Sequence, residues 1–235
     1  SDLHLLEFPN FRLACVSSSG SYWPLVKTLG WTEAAMDDET QHPVQRIRVV
    51  HNGVVDLGIP MLPFEQKANR FMFVAHFMPS KNVVQTLTMA VENQIRCLFV
   101  GRRLPHKKLS PFEEHYAQQC DDLIQGNLNL IDYHPVLSYR DCVREMARSR
   151  CLIILSEIES FGFTPIEAAQ VGTPTIWLGC QGIDETMQDG VSGFRIPRLE
   201  YKTWKKRRAR AAELYHGVNR LPQLPMAEHI RNQFS

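Results

Sequence analysis

The segment CLIILSEIESFGFTPIEAAQVGTP, residues 151–174, runs from an apolar strand through a polar loop into a helix. Cys151–Leu155 is apolar throughout, as in a parallel strand buried on both faces. The loop that follows carries Ser156, Glu157, Glu159 and Ser160. Gly162 permits a tight backbone path between Phe161 and Phe163. Thr164-Pro165-Ile166-Glu167 has the spacing of a capping box, with Pro165 at the first helical position and Glu167 at the third. Gly172 then ends the helix. Free amides and the dipole at a helix start attract phosphate, so this loop is suited to hold a diphosphate through its backbone. Glu159 and Glu167 flank it. Carboxylates repel phosphate but accept hydrogen bonds from sugar hydroxyls. On local physics alone, Glu167 is equally a capping residue bonded to the Thr164 amide, and Glu159 an exposed loop acid.

The same alternation continues on both sides. Leu13–Val16, Ile47–Val50, Phe71–Ala75, Ile95–Val100, Leu128–Asp132 and Thr175–Leu178 read as further strands. Between them lie helical patterns. Val83, Leu87, Ala90 and Val91 share a face. Ser110-Pro111-Phe112-Glu113 is a second capping box, and Ser138 caps a helix that buries Cys142, Val143, Met146 and Ala147. Strand and helix in regular succession predict an α/β fold: a Rossmann-like, mostly parallel sheet flanked by helices. Such sheets bind ligands beyond the carboxyl ends of their strands.

Composition narrows the function. The 235 residues carry 26 Lys+Arg and 25 Asp+Glu, a net +1, so the chain lacks the basic footprint of a nucleic-acid binder. With 44% hydrophobic and 22% charged residues it is an ordinary globular sequence. No apolar run reaches membrane-spanning length, and the N-terminus lacks the pattern of a secretory signal. Cys15, Cys97, Cys120, Cys142, Cys151 and Cys180 form no C-x-x-C pair and read as reduced thiols of a cytoplasmic protein. The histidines show no zinc-ligand spacing, so no metal site is expected. Two basic runs, Arg102–Ser110 and Lys202–Arg210, read as solvated surface. The second also leaves room for peripheral contact with the cytosolic face of an anionic membrane.

Several segments together resemble a known family. Glu159 to Glu167 resembles the E-x7-E motif of retaining GT-B-fold glycosyltransferases of family 4 type (group 1). Gly172-Thr173-Pro174 is similar to their G-T-P. The stretch from Gln181 through Glu185 to Asp189, Gly190 and Gly193 is similar to G-G-x-x-E…D-G-x-x-G. Val49 to Asp56 resembles the V-x-N-G-V-D between the two domains, and Phe73 to Asn82 the V-G-R-x-x-P-x-K-N segment. These pieces stand in family order. The resemblance implies a nucleotide-sugar donor, UDP- or GDP-linked, and no metal cofactor. Lys81 would neutralise the diphosphate, Glu159 would meet the donor sugar and Glu167 the ribose. The backbone from Phe161 through Gly162 and Phe163 to Thr164 would lie beside the diphosphate, and Glu185 would help orient the sugar loop. The acceptor would be a hydroxyl of a saccharide, lipid or protein.

Two departures accompany the resemblance. Ala75-His76 stands where the family has G-R, so a titratable ring replaces a permanent guanidinium, and His76 is the substitute for that charge. The length also accommodates only one half of a GT-B fold. Residues 1–57 read as a remnant of the N-terminal acceptor-side Rossmann-like domain and linker. Residues 58–200 read as the donor-binding domain, and 201–235 as a C-terminal helical tail. An N-terminal domain is therefore an expected partner. Two other readings stand beside transfer with retention: a non-catalytic interaction domain of the same fold, and a nucleotide-sugar epimerase or hydrolase.

Overall fold

The computed structural model describes residues 5–8, 11–16, 46–49, 53–103, 109–221, 226–228 and 230. A small sheet holds β1 (Leu5–Phe8), β2 (Phe11–Val16) and β3 (Arg46–Val49). β1 runs antiparallel to β2, and β2 parallel to β3. The expected strands at Leu13 and Ile47 fall within it. Val50, His51 and Asn52 of the interdomain motif, and residues 104–108 of the first basic run, lie outside the described residues.

The larger sheet is six-stranded and wholly parallel. Its strands are β4 (Ala68–Val74), β5 (Cys97–Val100), β6 (Ile131–His134), β7 (Ser149–Ile154), β8 (Thr175–Leu178) and β9 (Gly193–Ile196). After them come, in turn, α1 (Val83–Glu92), α2 (Pro111–Gln125), α3 (Tyr139–Arg148), α4 (Phe163–Gln170), α5 (Gln181–Thr186) and α6 (Trp204–Gly217). This is the expected Rossmann-like α/β architecture.

Alternate residues of one strand feed two core layers. Phe71, Phe73 and Ile153 pack on one face, and Met72, Leu152 and Ile154 on the other. Burial on both faces explains why these strands are apolar without alternation. Phe73 stacks on Phe99 with ring centroids 5.3 Å apart. α6 joins the first layer through Ala211, Ala212, Leu214 and Tyr215, and Arg208 of α6 binds Glu92 of α1 at 2.8 and 2.9 Å. Among the described residues no helix is long and apolar enough to cross a membrane.

Local signals held at α2 and α3. Ser110 and Glu113 form the reciprocal capping box, and Ser138 accepts the Asp141 amide. Two expectations need correction. β6 begins at Ile131 rather than Leu128, because Asn127 closes a turn that accepts the amides of Leu130 and Ile131. Leu128 is left 61% exposed. At α4 the N-cap is Gly162 in the left-handed region (φ +83°), with no side-chain cap. Thr164 lies inside the first turn, and the capping box with Glu167 does not form. Gly162 reaches a backbone conformation that a side chain would strain, so the helix starts at Phe163, ahead of the threonine.

Candidate functional site

The strand order β6-β5-β4-β7-β8-β9 reverses direction between β4 and β7. Their carboxyl ends therefore diverge into loops running to opposite sides of the sheet, which leaves a crevice suited to ligands. Lys81 comes from the loop after β4, at the end of a short 3-10 turn, Pro79–Lys81. Glu159 comes from the loop after β7. Lys81 Nζ lies 2.7 Å from Glu159 Oε1, and both side chains are partly exposed.

The two loops are stitched by backbone as well. The Glu157 amide donates to the Ser80 carbonyl at 3.0 Å. Asn82, buried and left-handed (φ 52°), donates from Nδ2 to the Leu155 carbonyl at 2.8 Å. Asparagine is one of the few residues that tolerates this backbone, so it turns the chain into α1 and ties it to β7 at once.

Glu159 is followed by Ser160, and Phe161 is buried against Phe163 in an edge contact at 5.1 Å. Phe163 itself is 45% exposed. Phe163 and Thr164 carry the amides at the start of α4, whereas Pro165 has none. Glu167 sits one turn further, half-buried. Burial pushes its carboxyl above the ordinary glutamate range, and a hydrogen bond from the Tyr139 hydroxyl pulls it partway back. Tyr139 in turn is pushed up to about 12 by burial and by the Glu167 charge.

Gly182 of α5 closes the other side. A Cβ there would come within 2.2 Å of the Glu159 carbonyl oxygen, so only glycine lets the helix rest on this loop. Glu185, on the same helix, is half-buried. His76 is exposed in the turn after β4, where its carbonyl accepts the Met78 amide at 2.7 Å.

The fold thus gathers Lys81, Glu159 and the start of α4 at one switch point, with Glu167 on the following turn of the same helix. Residues that the sequence did not single out complete the surroundings. Tyr139 bonds Glu167, and Gly182 fits the loop. Arg198 and Arg207 reach Glu157 from beyond β9. No local pattern points to the two arginines, because their partner lies 41 positions or more away.

Residues 59–222 match the family described as glycosyl transferases group 1. The chain is 28% identical over 171 residues to a D-inositol 3-phosphate glycosyltransferase of Mycobacterium sp. (strain JLS), covering 68% of this chain and 38% of that protein. It is 27% identical over 96 residues to the protein of the same name from Streptomyces griseus, covering 41% of this chain and 20% of that one. The chain thus spans well under half the length of these curated relatives. The fold is similar to that of sucrose-phosphate synthase from Thermosynechococcus elongatus, with TM-score 0.69 and 16% identity over 95% of this chain and 54% of that one. It is also similar to the pneumococcal O-GlcNAc transferase GtfA, solved with UDP and GlcNAc, with TM-score 0.62 and 16% identity over 94% of this chain and 42% of that one.

Proposed function

Because the chain belongs to the glycosyl transferases group 1 family through residues 59–222, we propose that it is the donor-binding half of a retaining GT-B glycosyltransferase of family 4 type. It takes a UDP- or GDP-linked hexose and passes the sugar to an acceptor hydroxyl with retention at the anomeric carbon. The bond from the anomeric carbon to the diphosphate oxygen breaks, and its electron pair leaves with the nucleoside diphosphate. The acceptor oxygen bonds the same face of the sugar, and its proton passes to the leaving phosphate.

Each role follows from charge. Lys81 meets the diphosphate, whose negative charge grows as the sugar departs. The Phe163 and Thr164 amides add donors on the opposite side. Glu159 accepts from sugar hydroxyls and Glu167 from the ribose. A UDP-bound neighbour, GtfA, is consistent with this donor class. The observation that carries the reading is the meeting of Lys81 and Glu159 at 2.7 Å across the sheet's switch point. One cation for phosphate and one carboxylate for hydroxyls are what a sugar diphosphate requires at its scissile bond.

The test is titration calorimetry of the full chain with UDP, GDP and ADP, followed by the matching UDP- and GDP-hexoses. Binding of a diphosphate that is lost in Lys81→Ala supports the reading. Absence of binding to every nucleotide favours a non-catalytic domain of the same fold, a reading that the missing permanent cation at His76 also suits.

A further inference from the structure

Arg198 lies in the turn after β9 and Arg207 in α6, yet both reach one carboxylate in the loop after β7. Arg198 Nη2 lies 3.8 Å and Arg207 Nη1 3.7 Å from the same Oε1 of Glu157. Other arginines of the protein close tightly on their acids. Arg195 meets Asp184 at 2.7 and 2.9 Å, and Arg208 meets Glu92 at 2.8 and 2.9 Å. Arg207 is already committed. Its Nε donates to the Tyr201 carbonyl at 2.7 Å, its guanidinium lies 4.7 Å from the centre of the Trp204 ring, and it is 12% exposed. Arg198 is 39% exposed and, among the described residues, makes one hydrogen bond, from Nη1 to the Glu157 carbonyl at 3.2 Å. Most of its donor fork is unspent.

Arg198 also belongs to the rim of the crevice. The Glu157 residue that it holds bonds Ser80, next to Lys81. Burial raises the Cys180 pKa above all, and the Glu159 and Asp184 charges raise it while the Arg198 charge lowers it, so these three charges lie within electrostatic range of one thiol. Among the described ion pairs, Lys81, Arg198 and Arg207 meet Glu157 and Glu159, three cations against two carboxylates, while the nearby Asp184 is taken by Arg195. Burial and the Arg198 charge both lower the pKa of Arg207, as expected where guanidiniums crowd. A rim with surplus positive charge and a loosely held guanidinium is built to receive an anion.

We propose that Arg198 is a second cationic ligand of the donor's β-phosphate, held on Glu157 until the donor arrives. The proposal rests on the nucleotide-sugar reading above. It names the β-phosphate because Arg198 holds Glu157, two residues before Glu159 and bonded to Ser80 beside Lys81, where that reading puts the scissile bond. When Arg198 turns to phosphate, Glu157 keeps Arg207, so that carboxylate is not left without a cation. The new contact supplies the guanidinium that Ala75-His76 lacks, and it strengthens as the leaving group gains charge.

A residue that merely clamps two loops predicts the opposite sign for one substitution. Glu157→Gln leaves the backbone bonds of Glu157 to Ser80 and Arg198 in place and removes the carboxylate that competes for Arg198. The experiment is titration calorimetry of the full chain with UDP, GDP, ADP and their monophosphates, on wild type, Glu157→Gln, Arg198→Gln and the double variant. The expected result is that Glu157→Gln binds the preferred diphosphate about 3- to 5-fold more tightly, the scale of one partly exposed ion pair. Arg198→Gln binds it about 10-fold or more weakly, the scale of a charge-assisted hydrogen bond, and the double variant matches it. Monophosphate affinity stays within about twofold throughout. Weaker or unchanged diphosphate binding by Glu157→Gln overturns the assignment, as does equal loss of mono- and diphosphate by Arg198→Gln. If Arg198→Gln fails to fold, the Glu157→Gln arm still decides. Wild type that binds none of the six compounds removes the donor reading and this inference together, whereas a binding wild type with indifferent variants removes this inference alone.

Discussion

Lys81 and Glu159 neutralise one another at 2.7 Å, although they come from the ends of different strands. Each is the other's partner only while the crevice is empty of a better one. A diphosphate offers Lys81 more negative charge than a carboxylate does, and sugar hydroxyls offer Glu159 donors that an ammonium otherwise supplies. Under the proposed function, donor entry is an exchange of partners. The pair keeps the site from burying two unmatched charges when no donor is present.

The exchange predicts opposite effects on binding and transfer. Glu159→Gln frees Lys81, so the nucleoside diphosphate should bind about 2- to 5-fold more tightly, since a partly exposed pair contributes up to about 1 kcal/mol. Sugar transfer should fall at the same time, because the neutral amide is a poorer acceptor for the sugar hydroxyls. Lys81→Ala should weaken the same nucleotide by about 1.5–3 kcal/mol, the scale of a charge-assisted hydrogen bond. Calorimetry and a turnover assay on the two variants check this. Tighter binding by Lys81→Ala would show that the lysine faces no phosphate.

Glu167 gives a pH signature. Burial raises its carboxyl pKa, and the Tyr139 hydrogen bond opposes the rise. A ribose hydroxyl needs the ionised acceptor. Nucleotide binding should therefore weaken as pH falls through the raised Glu167 pKa, and the loss should begin above the pH at which an ordinary glutamate titrates. Tyr139→Phe removes the opposing bond, so the fall should move to higher pH. Glu167→Gln should bind more weakly at neutral pH and lose the titration. Affinity measured across the acid range in the three proteins tests this, and an unshifted midpoint in Tyr139→Phe excludes the coupling.

The strands were legible because both faces of the sheet are buried, which makes Cys151–Leu155 and Phe71–Ala75 stand out as apolar runs. Ser110 and Ser138 were legible because a cap is a local device. Thr164 was misread as a cap because the competing signal, Gly162 at φ +83°, acts through backbone freedom rather than through a side-chain bond. β9 passed unnoticed because Gly193–Ile196 is a short edge strand whose first residue is a glycine. That glycine is required by contact: a Cβ would lie 1.8 Å from the Thr175 carbonyl oxygen. Lys81, Glu159 and Glu167 were singled out through ordered motifs, and the fold brings Lys81 and Glu159 together with Glu167 on the helix that follows. Tyr139, Gly182 and Arg198 were not, since each owes its place to a partner brought in by the topology.

Lys67 predicts an alkaline feature of stability. Lys67 is 4% exposed, and its ammonium donates to the Ala147 carbonyl at 2.6 Å and to Thr173 Oγ1 at 2.8 Å, while that hydroxyl donates to the Met146 carbonyl. Burial lowers its pKa from 10.5 to about 8. Between those values the unfolded chain holds the proton that the folded chain has released, so stability rises with pH. The buried cysteines pull the other way. Cys120 is pushed up to about 12, and Cys142 and Cys180 to about 11, from 9.0. Above pH 9 the unfolded chain therefore loses thiol protons that the folded one keeps, and stability falls. From pH 8 to 9 the lysine alone adds about 1 kcal/mol, while each such thiol removes about 0.3 kcal/mol because the unfolded chain is already ionising, so three of them cancel the gain. Unfolding free energy should therefore be flat or falling from pH 8 to 9 and fall further above it, and in Lys67→Met it should fall by about 1 kcal/mol more over that unit. Urea melts of the two proteins at closely spaced pH values decide the matter, and parallel curves would show that Lys67 does not release its proton in this range.

Gly182 couples α5 to the site by contact alone. A Cβ there would stand 2.2 Å from the Glu159 carbonyl oxygen and 2.6 Å from the Ser160 carbonyl carbon, backbone atoms that cannot swing aside as a side chain can. Gly182→Ala must therefore push the 159–160 loop away from α5, toward the Lys81 side or outward. Overpacking of this kind costs about 1–3 kcal/mol of stability. The displacement falls on the backbone that carries Glu159, so its 2.7 Å approach to Lys81 cannot be kept unchanged. Sugar transfer should drop by more than the loss of folded protein explains, with the deficit in kcat at saturating donor. Gly190→Ala is the control. It also has a positive φ (+77°) but meets nothing within 4 Å, so its cost is backbone strain without movement of the loop. Equal kcat in the two variants at matched folded fraction would mean that contact with α5 does not position Glu159.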